Sequence, residues 1–426
     1  MKRVLIITYY WPPAGGPGVQ RWLKMVKYFR DFGVEPIVYV PENPNYPLLD
    51  EDFRDDVPSD IEIIKHPINE PYGLAEMFSK KKTHQISSGI IPKKEPSLLE
   101  KLMLYVRGNF FIPDARVGWV KPSVKFLTEY IPNNNIDVVI TSGPPHSLHL
   151  IGMQLKENLG MKWIADFRDP WTTIHYHKSL RLNKSSERKH KEFEVAVLNS
   201  ANLIVVTSPS TKKEFQNITE VPIEVVTNGF DITRKIGVEL DIEFSISHIG
   251  SLLSERNPEV LWHVLAEISN ESAFFKKKLL LKFAGAVSEE VKESLRENGL
   301  LSNAIFLGYV SHAEALKLQH KSQVLLLVEI DSEDTKAIIP GKLFEYLAAA
   351  RPVVALGPKG SDIETIVLET NAGSFFEHSE KEKIKSQILQ YYEAYKDENL
   401  IVSTSGIEKY SRRELAGKMA TLVKTL

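Results

Sequence analysis

The chain contains no cysteine in 426 residues. This absence excludes disulfide bonds, thiolate metal sites and a cysteine nucleophile, so the stability of the fold must come from packing. The chain also lacks an excess of either charge, because its formal net charge is only −2 at pH 7. A balance this close to neutral gives no electrostatic reason to expect nucleic acid as the main partner.

Long apolar runs are missing as well. No segment approaches the roughly 20 apolar residues that a membrane-spanning helix needs. Residues 1–8 begin basic and apolar like a secretory signal, but Trp11, Pro12 and Pro13 interrupt this short run. We therefore expect a cytoplasmic protein, with any membrane contact confined to its surface at the inner face of the plasma membrane.

What the chain has instead is a series of short apolar runs between amphipathic stretches. They lie at residues 4–7, 36–40, 138–141, 163–167 and 203–207, and again at 244–249, 279–284, 305–307, 324–328 and 353–356. Continuous apolar runs are typical of strands that are buried on both faces of a parallel sheet. Because 426 residues exceed the usual size of one core, we predict two doubly wound α/β domains, residues 1–235 and 240–405, facing each other across a cleft.

Residues 339–354 form the most informative segment. Pro340 favours a helix start, and residues 348–350 are alanines that favour helix. Lys342 and Glu345 are three residues apart, so they share a face of the first turns. We expect this cation and this carboxylate to hold a phosphate and an adjacent ribose hydroxyl, although a weak surface ion pair is the alternative explanation.

Backbone groups contribute to the same prediction. The first turn of a helix has free N–H groups that suit an anion, and Gly341 and Leu343 carry such groups on either side of Lys342. The second half therefore offers a phosphate site built from a helix start as well as from side chains.

Two other strand ends in the second half carry candidate groups. Gly250 and Ser251 follow one strand and offer close backbone and hydroxyl contacts, while Arg256 suits a bidentate grip on a diphosphate. A lone surface arginine is the alternative. Tyr309 and Val310 follow a further strand, where backbone groups are suited to a nucleobase edge.

In the first half, Gly15 and Gly16 lie in the turn between the first strand and its helix. Glycines at such a turn let the backbone approach a phosphate or a sugar closely, although a simple tight turn would also use them. Their spacing and the neighbouring prolines differ from the dinucleotide-binding fingerprint.

His146 and His149 follow another strand, near the start of a helix. The helix dipole there favours a neutral ring, which can hydrogen-bond an uncharged hydroxyl. We expect His146 to reach the cleft. His149 shares its face with Met153, so a packed core histidine is the alternative for that residue.

Asp166, Arg168 and Asp169 end a further strand, where charged groups are costly to bury unpaired. They either form an ion network that braces this edge or contact a substrate. Asp114 and Arg116 are additional candidates for an acceptor site.

Residues 70–125 break the alternation of strands and helices. This insertion contains lysine runs at 80–82 and 93–94, followed by an apolar stretch at 98–111. Such a segment is suited to an anionic membrane surface. A solvated loop followed by one packed helix is the alternative.

Residues 166–171 read Asp-Phe-Arg-Asp-Pro-Trp and residues 340–346 read Pro-Gly-Lys-Leu-Phe-Glu-Tyr. With these two motifs in this order, the chain resembles the retaining glycosyltransferases of family 4, in the bacterial polysaccharide and O-antigen assembly branch. The similarity covers most of the chain outside about residues 45–100. It implies the GT-B fold of two facing Rossmann-like domains, with a C-terminal helix, here about 408–426, that crosses back to the N-terminal domain.

The resemblance also implies roles for individual residues. Gly16 would lie near the donor diphosphate, Arg256 and Lys342 would neutralise it, Glu345 would take the ribose hydroxyls, and residues 309–310 would lie beside the base. The donor-binding set is Gly15, Gly16, Gly250, Ser251, Arg256, Tyr309, Val310, Gly341, Lys342, Leu343 and Glu345. The catalytic set is Arg256, Lys342, His146, Arg168 and Asp169, and the acceptor set is Asp114, Arg116, His149 and Asp166.

Three positions depart from the family pattern. Ala337 stands where a glutamate usually contacts the donor sugar, Ser251 replaces the usual arginine, and Arg168 replaces the catalytic-loop histidine. These departures leave the identity of the donor open. They also place more of the charge stabilisation on Arg256 and Lys342.

We therefore hypothesise transfer of a sugar, with retention, from a UDP- or GDP-linked donor to a saccharide or a polyprenyl-linked acceptor. No metal and no other cofactor is expected. A two-domain protein that binds sugars without reacting, and a GT-B-like sugar-nucleotide epimerase, are the alternatives.

Overall fold

A computed structural model of the chain describes residues 1–70, 98–174, 177, 180–231 and 237–426. These residues form two compact units. The first comprises Met1–Asn228 with Arg412–Leu426, and the second comprises Gly229–Ser411. The lysine runs at 80–82 and 93–94 lie outside the described residues.

The first unit is built on a parallel sheet, in which we find seven strands among the described residues. They are β1 (Lys2–Ile7), β2 (Val34–Pro41), β3 (Glu62–His66), β4 (Val138–Gly143), β5 (Lys162–Phe167), β6 (Leu203–Val206) and β7 (Ile223–Val225). Their order is β3-β2-β1-β4-β5-β6-β7, and every neighbouring pair is parallel. The chain therefore builds outward from β1 in both directions.

Helices connect these strands. They are α1 (Pro17–Phe29), α2 (Leu98–Phe110), α3 (Val120–Asn133), α4 (Ser147–Leu159), α5 (Lys184–Ser200) and α6 (Pro209–Phe215). Several begin at a side-chain cap, as when Asn183 accepts a hydrogen bond from the backbone N–H of Ser186 at the start of α5.

Both faces of this sheet are covered. Leu5 and Ile7 of β1 pack into one apolar cluster, whereas Val4 and Ile6 pack into another. Successive strand side chains point to opposite faces, so a strand with a core on each side needs apolar residues at every position. This accounts for the continuous apolar runs.

The second unit repeats the plan with six strands in its described part. They are β8 (Phe244–Ile249), β9 (Leu279–Ala284), β10 (Ala304–Gly308), β11 (Val324–Val328), β12 (Val353–Leu356) and β13 (Gly373–Phe376). Their order is β10-β9-β8-β11-β12-β13, again with parallel pairs.

The helices of this unit also cover both faces. They are α7 (Glu259–Glu271), α8 (Ala273–Lys278), α9 (Glu289–Glu297), α10 (His312–Lys321), α11 (Gly341–Ala349), α12 (Asp362–Glu369) and α13 (Lys381–Lys396). Leu326 of β11 lies in one apolar cluster and its neighbours Leu325 and Leu327 lie in the other.

The last helix, α14 (Arg412–Thr425), belongs to the first unit. Met419, Ala420 and Val423 are buried in the same cluster as β1 and α1. Gly417 allows close packing, because a Cβ atom there would lie 2.8 Å from a ring carbon of Phe32. The expected return of a C-terminal helix to the N-terminal unit is therefore confirmed, as is the doubly wound α/β fold class.

Candidate functional site

The candidate donor site lies at the carboxyl edge of the second sheet, where β8 meets β11. The chain runs from β8 outward to β9 and β10, then crosses to β11 on the other side of β8. Ligands in open α/β sheets bind outside the strand ends at such a switch point. Gly250 and Arg256 follow β8, Glu329 follows β11, and α11 begins a few residues later.

Helix α11 begins as the sequence predicts. Pro340 is its N-cap residue, with no side-chain cap, and the helix starts at Gly341. The buried hydroxyl of Tyr346 accepts a hydrogen bond from the backbone N–H of Ile249 at 2.9 Å, which attaches α11 to the end of β8. Leu343 is buried in the core, and its backbone N–H donates to the carbonyl of Pro340 at 3.0 Å, so the expectation of a free amide at Leu343 is wrong. In the described part of the chain, the first turn therefore leaves the amides of Gly341 and Lys342 without a partner, next to the end of β8.

Lys342 has no carboxylate partner among the described residues. Its Nζ atom lies 3.0 Å from Nε2 of His248 and close to Gly250, where a Cβ atom would approach Nζ to 2.8 Å. Gly250 has a φ of +116°, which residues with a side chain rarely adopt, and its lack of a Cβ atom also leaves room for the lysine amine. Burial, followed by the positive charge of Arg256, lowers the pKa of Lys342 to about 7, against the opposing effect of Glu329 and Glu345.

Arg256 is paired with Glu329, a residue that the sequence analysis did not single out. Both Nε and Nη2 of Arg256 donate to Oε1 of Glu329, at 3.0 and 2.8 Å. The Glu329 side chain is fully buried, whereas that of Arg256 is 29% exposed. Nη1 of Arg256 donates to no atom in the described part of the chain, so this end of the guanidinium remains for a ligand.

Glu345 is also held by two neighbours. Its Oε1 lies 2.9 Å from Nε2 of His312, and its Oε2 accepts a hydrogen bond from the amide of Gln319 at 2.9 Å. Both partners come from α10. Because each carboxylate oxygen can accept more than one hydrogen bond, the fixed carboxylate retains capacity for hydroxyl donors.

Glycines end three neighbouring strands at this edge. Gly250, Gly285 and Gly308 follow or end β8, β9 and β10, and all have positive φ values. A Cβ atom at Gly285 would lie 2.6 Å from the backbone of Gly250, so these loops approach each other closely. Tyr309, at 73% exposure, lies just beyond the third glycine, and Val310 is half-buried. Ser251 is exposed.

In the first unit, the two candidate glycines have different surroundings. Gly15 donates its backbone N–H to Leu48 at 2.8 Å, and a Cβ atom there would lie 2.9 Å from the Leu48 side chain. Gly15 is therefore packed against a neighbouring loop. Gly16 is the N-cap residue of α1, with a φ of +91° and no described atom within 4 Å of its Cβ position. It is the more open of the two.

Asp166 lies in a buried ion network. Its carboxylate accepts hydrogen bonds from Arg21 at 2.6 and 3.2 Å, from Trp22 at 3.0 Å and from Ser142 at 2.8 Å. Arg21 and Asp166 side chains are 1% and 0% exposed. Of the two explanations left open by the sequence, this geometry favours a network that braces the edge, with Arg21 as the main partner.

Arg168 holds loops together. It donates from Nη1 to the carbonyl of Gly18 at 3.0 Å, from Nε to that of Gly143 at 3.4 Å and from Nη2 to that of Pro144. Asp169 has no hydrogen-bond donor among the described residues, and burial raises the pKa of its carboxyl, against the lowering effect of Arg168. Asp169 is thus the more available of the two for a substrate.

The two histidines are both neutral. Burial lowers the pKa of His146 well below its usual value and lowers that of His149 to about 3. His146 stacks flat on Trp171, with ring centroids 4.8 Å apart, and its two nitrogens lack partners in the described ranges. His149 lies 2.9 Å from the Thr141 hydroxyl and stacks on Phe167, which is the core arrangement named as its alternative.

The remaining acceptor candidates are largely occupied. Asp114 accepts hydrogen bonds from the backbone N–H and the hydroxyl of Ser147, both at 2.8 Å, and so caps α4. Arg116 is 3% exposed, lies 2.9 Å from Glu70 and stacks over the ring of Tyr9. These contacts give both residues a structural role at the edge of the first sheet.

The residues that the sequence analysis missed all hold predicted residues in place. His248 contacts Lys342, Glu329 contacts Arg256, Tyr346 attaches α11, and Gln319 with His312 holds Glu345. The sequence did contain a signal for two of these residues. His248 and Glu329 are polar residues at the ends of apolar runs, where strand ends were expected. Nowhere in the described residues do three or more His, Asp or Glu side chains form a group that could hold a metal ion.

Several solved structures share this fold over the whole chain. Sucrose-phosphate synthase from Thermosynechococcus elongatus has a TM-score of 0.63 at 14% identity, covering 100% of this chain and 99% of that one. A glycosyltransferase from Rickettsia africae has a TM-score of 0.62 at 14% identity, covering 100% and 98%. HepE from Anabaena has a TM-score of 0.61 at 14% identity and covers 100% of both chains. The expected GT-B fold is confirmed.

Sequence comparisons address the family directly. A search of curated proteins found no match. The sequence profile of Glycosyltransferase Family 4 matches residues 18–234, just over half of the 426 residues. A second profile, glycosyl transferases group 1, matches residues 243–394. The chain therefore belongs to Glycosyltransferase Family 4.

Proposed function

We propose that this glycosyltransferase moves a sugar, with retention of configuration, from a UDP- or GDP-linked donor to a hydroxyl of a saccharide or polyprenyl-linked acceptor. One observation carries the proposal. Arg256, Lys342 and the first turn of α11 converge at the switch point of the second sheet, with Glu345 one turn further along the helix. Two cations and free amides suit a diphosphate, and a fixed carboxylate suits the ribose next to it.

The chemistry follows from where charge develops. As the bond between the sugar and the diphosphate breaks, the leaving group gains negative charge, and preorganised donors aimed at it lower the barrier. Lys342 and the free end of Arg256 supply such donors without a metal ion. In retention, the acceptor hydroxyl attacks from the leaving-group face and a diphosphate oxygen takes its proton.

The known structures support the choice of substrates. HepE from Anabaena has been crystallised with UDP-glucose, and also with UDP and glucose. TarM from S. aureus has been crystallised with UDP and saccharide ligands, and WaaB is a lipopolysaccharide outer core galactosyltransferase. By analogy we assign this chain a nucleotide-sugar donor and a saccharide acceptor in cell-surface polysaccharide synthesis.

A screen of nucleotides tests the donor site. A ligand that binds the folded state at 100 times its Kd stabilises it by about 2.7 kcal/mol. We expect UDP- or GDP-linked sugars to raise the melting temperature by roughly 5–10 °C, and Lys342→Ala to reduce this shift. Failure of every nucleoside diphosphate and nucleotide sugar to stabilise the protein would reject the proposal and favour a protein that binds sugars alone.

Product analysis then separates transfer from epimerisation. A putative UDP-N-acetylglucosamine 2-epimerase from Listeria monocytogenes shares the fold, with a TM-score of 0.56 at 12% identity. Incubation of the stabilising donor with and without saccharide acceptors, followed by NMR of the products, distinguishes the two activities. We expect a new glycosidic bond with the anomeric configuration of the donor. An epimerised donor formed without acceptor would overturn the proposal.

We further propose that α2 docks on an anionic membrane at the inner face of the plasma membrane, where polyprenyl-linked acceptors would be met. Leu102, Tyr105, Val106 and Phe110 form one exposed stripe of this helix, and Phe110 is 71% exposed. The lysine runs in residues 80–94 give the preceding segment the charge that anionic lipids attract. Among the described helices, none is long and apolar enough to cross a bilayer.

Vesicle sedimentation tests this docking. We expect the protein to sediment with vesicles that contain phosphatidylglycerol and to stay in solution with pure phosphatidylcholine. Leu102→Ser with Phe110→Ser should abolish sedimentation, while Phe274→Ser, at another exposed aromatic residue on α8, should leave it unchanged. Equal binding to both vesicle types, or a dimer in solution that the double variant dissociates, would reject the membrane as the occupant of this face.

A further inference from the structure

We propose that His248 is a positioning residue for Lys342, holding the amine at the strand edge in a form that takes up a proton when a donor diphosphate binds. This inference rests on the proposed function, because it concerns the same donor site. It assigns a role to a buried residue that would not itself touch the substrate.

The hydrogen bonds of His248 define its tautomer. Its Nδ1 atom lies 3.0 Å from the carbonyl oxygen of Leu326 on the neighbouring strand. Nε2 lies 3.0 Å from Nζ of Lys342 and 3.3 Å from the carbonyl oxygen of Ser251, so two carbonyls compete for the one proton of the neutral ring. The shorter contact, at Leu326, and the need for an acceptor opposite the lysine place the proton on Nδ1 and the lone pair on Nε2. His248 is fully buried, and burial, followed by the charge of Lys342, keeps its pKa well below the usual value. The ring therefore stays neutral and accepts a hydrogen bond from the lysine.

The space around Lys342 fixes the amine in one place. Gly250 gives it room on one side, since a Cβ atom there would approach both Nζ and Cε. Tyr346, one turn along α11, hydrogen-bonds the end of β8 and fixes the helix from which the lysine projects. The imidazole, the glycine and the anchored helix together leave the amine little freedom, which is the preorganisation that a diphosphate contact requires.

The charged groups around Lys342 have opposing effects on its pKa, so the charge of a bound ligand can change its protonation state. Arg256 opposes a second positive charge, whereas Glu329 and Glu345 favour one, and His248 adds none. Glu329 already pairs with Arg256, and Glu345 with His312 and Gln319. With a pKa of about 7, the amine is neutral in about nine molecules of ten at pH 8.

A diphosphate changes this balance. Its negative charge raises the pKa of Lys342, so the bound state holds a proton that the empty state lacks above pH 7. Binding then takes a proton from the solvent onto Nζ, and the affinity falls as the pH rises. We expect Kd to increase roughly tenfold per pH unit above pH 8 until the pKa of the bound lysine is reached.

Calorimetry measures the proton directly. Binding of UDP and of GDP is titrated in buffers with different ionisation enthalpies, so that the heat reveals the number of protons taken up. The titrations are made at pH 8 because the terminal phosphate, with a pKa of about 6, is fully ionised there. We expect uptake of about 0.9 proton by the native protein and none by Lys342→Arg, whose guanidinium is always charged. Binding without proton uptake would overturn this inference alone, whereas binding of neither nucleotide would overturn the proposed function as well.

Two variants of His248 test positioning. His248→Gln keeps a donor for Leu326 and an acceptor for Lys342, whereas His248→Leu has a similar size and keeps neither. Since a misplacement of about 1 Å can cost roughly 100-fold in rate, we expect His248→Leu to lower kcat at least tenfold with a smaller change in KM. His248→Gln should restore most of this rate. Equal kcat in the two variants, measured at temperatures where both are folded, would show that the histidine is only structural.

Discussion

Glu329→Gln tests whether the Arg256–Glu329 pair is poised for a diphosphate. Glu329 is fully buried and is the only described carboxylate in contact with the Arg256 side chain. The substitution keeps the shape and one oxygen acceptor but removes the negative charge. Arg256 then loses its counter-charge, although its 29% exposure lets water compensate in part.

The expected magnitude follows from these contacts. Breaking a fully buried ion pair costs about 3–5 kcal/mol, and hydrogen bonds to charged groups contribute about 1.5–3 kcal/mol each. Because Arg256 is partly hydrated and glutamine still accepts a hydrogen bond, we expect a loss of about 2 kcal/mol in the free energy of unfolding. For a unit of this size, that corresponds to a melting temperature lower by roughly 4–8 °C.

Scanning calorimetry with and without ligand is the assay. Glu333→Gln is the matched control, because Glu333 is 84% exposed and pairs with Lys336 at the surface. We expect the control to change stability by less than about 0.5 kcal/mol. Saturating UDP or GDP should narrow the gap between Glu329→Gln and the native protein, since the diphosphate supplies the missing negative charge to Arg256.

Two results would refute this reasoning. Equal stability of Glu329→Gln and Glu333→Gln would show that the buried pair stabilises nothing. A gap that stays unchanged in saturating ligand, under conditions where the ligand stabilises the native protein, would show that Arg256 does not face the diphosphate.

Three further substitutions have expected outcomes. Lys342→Ala should lower kcat by roughly 100- to 1,000-fold, and near-normal turnover in a transfer assay would show that Lys342 does not contact the diphosphate. Gly250→Ala should lower kcat/KM without unfolding the protein, because its Cβ atom would displace the Lys342 amine and φ is +116° there; wild-type kinetics would contradict this. Asp166→Asn should destabilise the protein by about 3–5 kcal/mol in urea unfolding, because Arg21 would lose its buried partner, whereas Asp169→Asn, which breaks no such pair, should cost far less.

The central strands were predictable because both faces of each sheet are covered. All ten apolar runs named in the sequence became strands, including β1 and β8. The strands that were missed, β3, β7 and β13, lie at sheet edges. An edge strand has a neighbour on one side only, so charged, short or glycine-containing segments such as Glu62–His66 and Gly373–Phe376 are tolerated there and give no apolar signal.

For the candidate site, the location of each residue was easier to predict than its hydrogen-bond or ion-pair partner. The rule that function lies at the carboxyl ends of strands brought Arg256 and Lys342 to one switch point, as the structure now has them. The same rule could not tell that Asp166 would pair with Arg21, a helix residue 145 positions earlier. Pairing depends on which side chains the packed sheet and helices bring within about 3 Å, and sequence spacing carries little of that information.

Glu329, a partner that the sequence did not reveal, changes the charge expected at the donor site. Counting only predicted residues, the switch point holds two cations and one carboxylate, a net charge of about +1 before any ligand is counted. With Glu329 fully buried against Arg256 and His248 neutral, the side chains there instead comprise two carboxylates, one fixed cation and one lysine whose charge varies with its surroundings. This set of groups avoids an unpaired buried cation, because a buried cation without a counter-charge is costly. The incoming diphosphate then completes the balance, and the proton on Lys342 becomes part of donor binding.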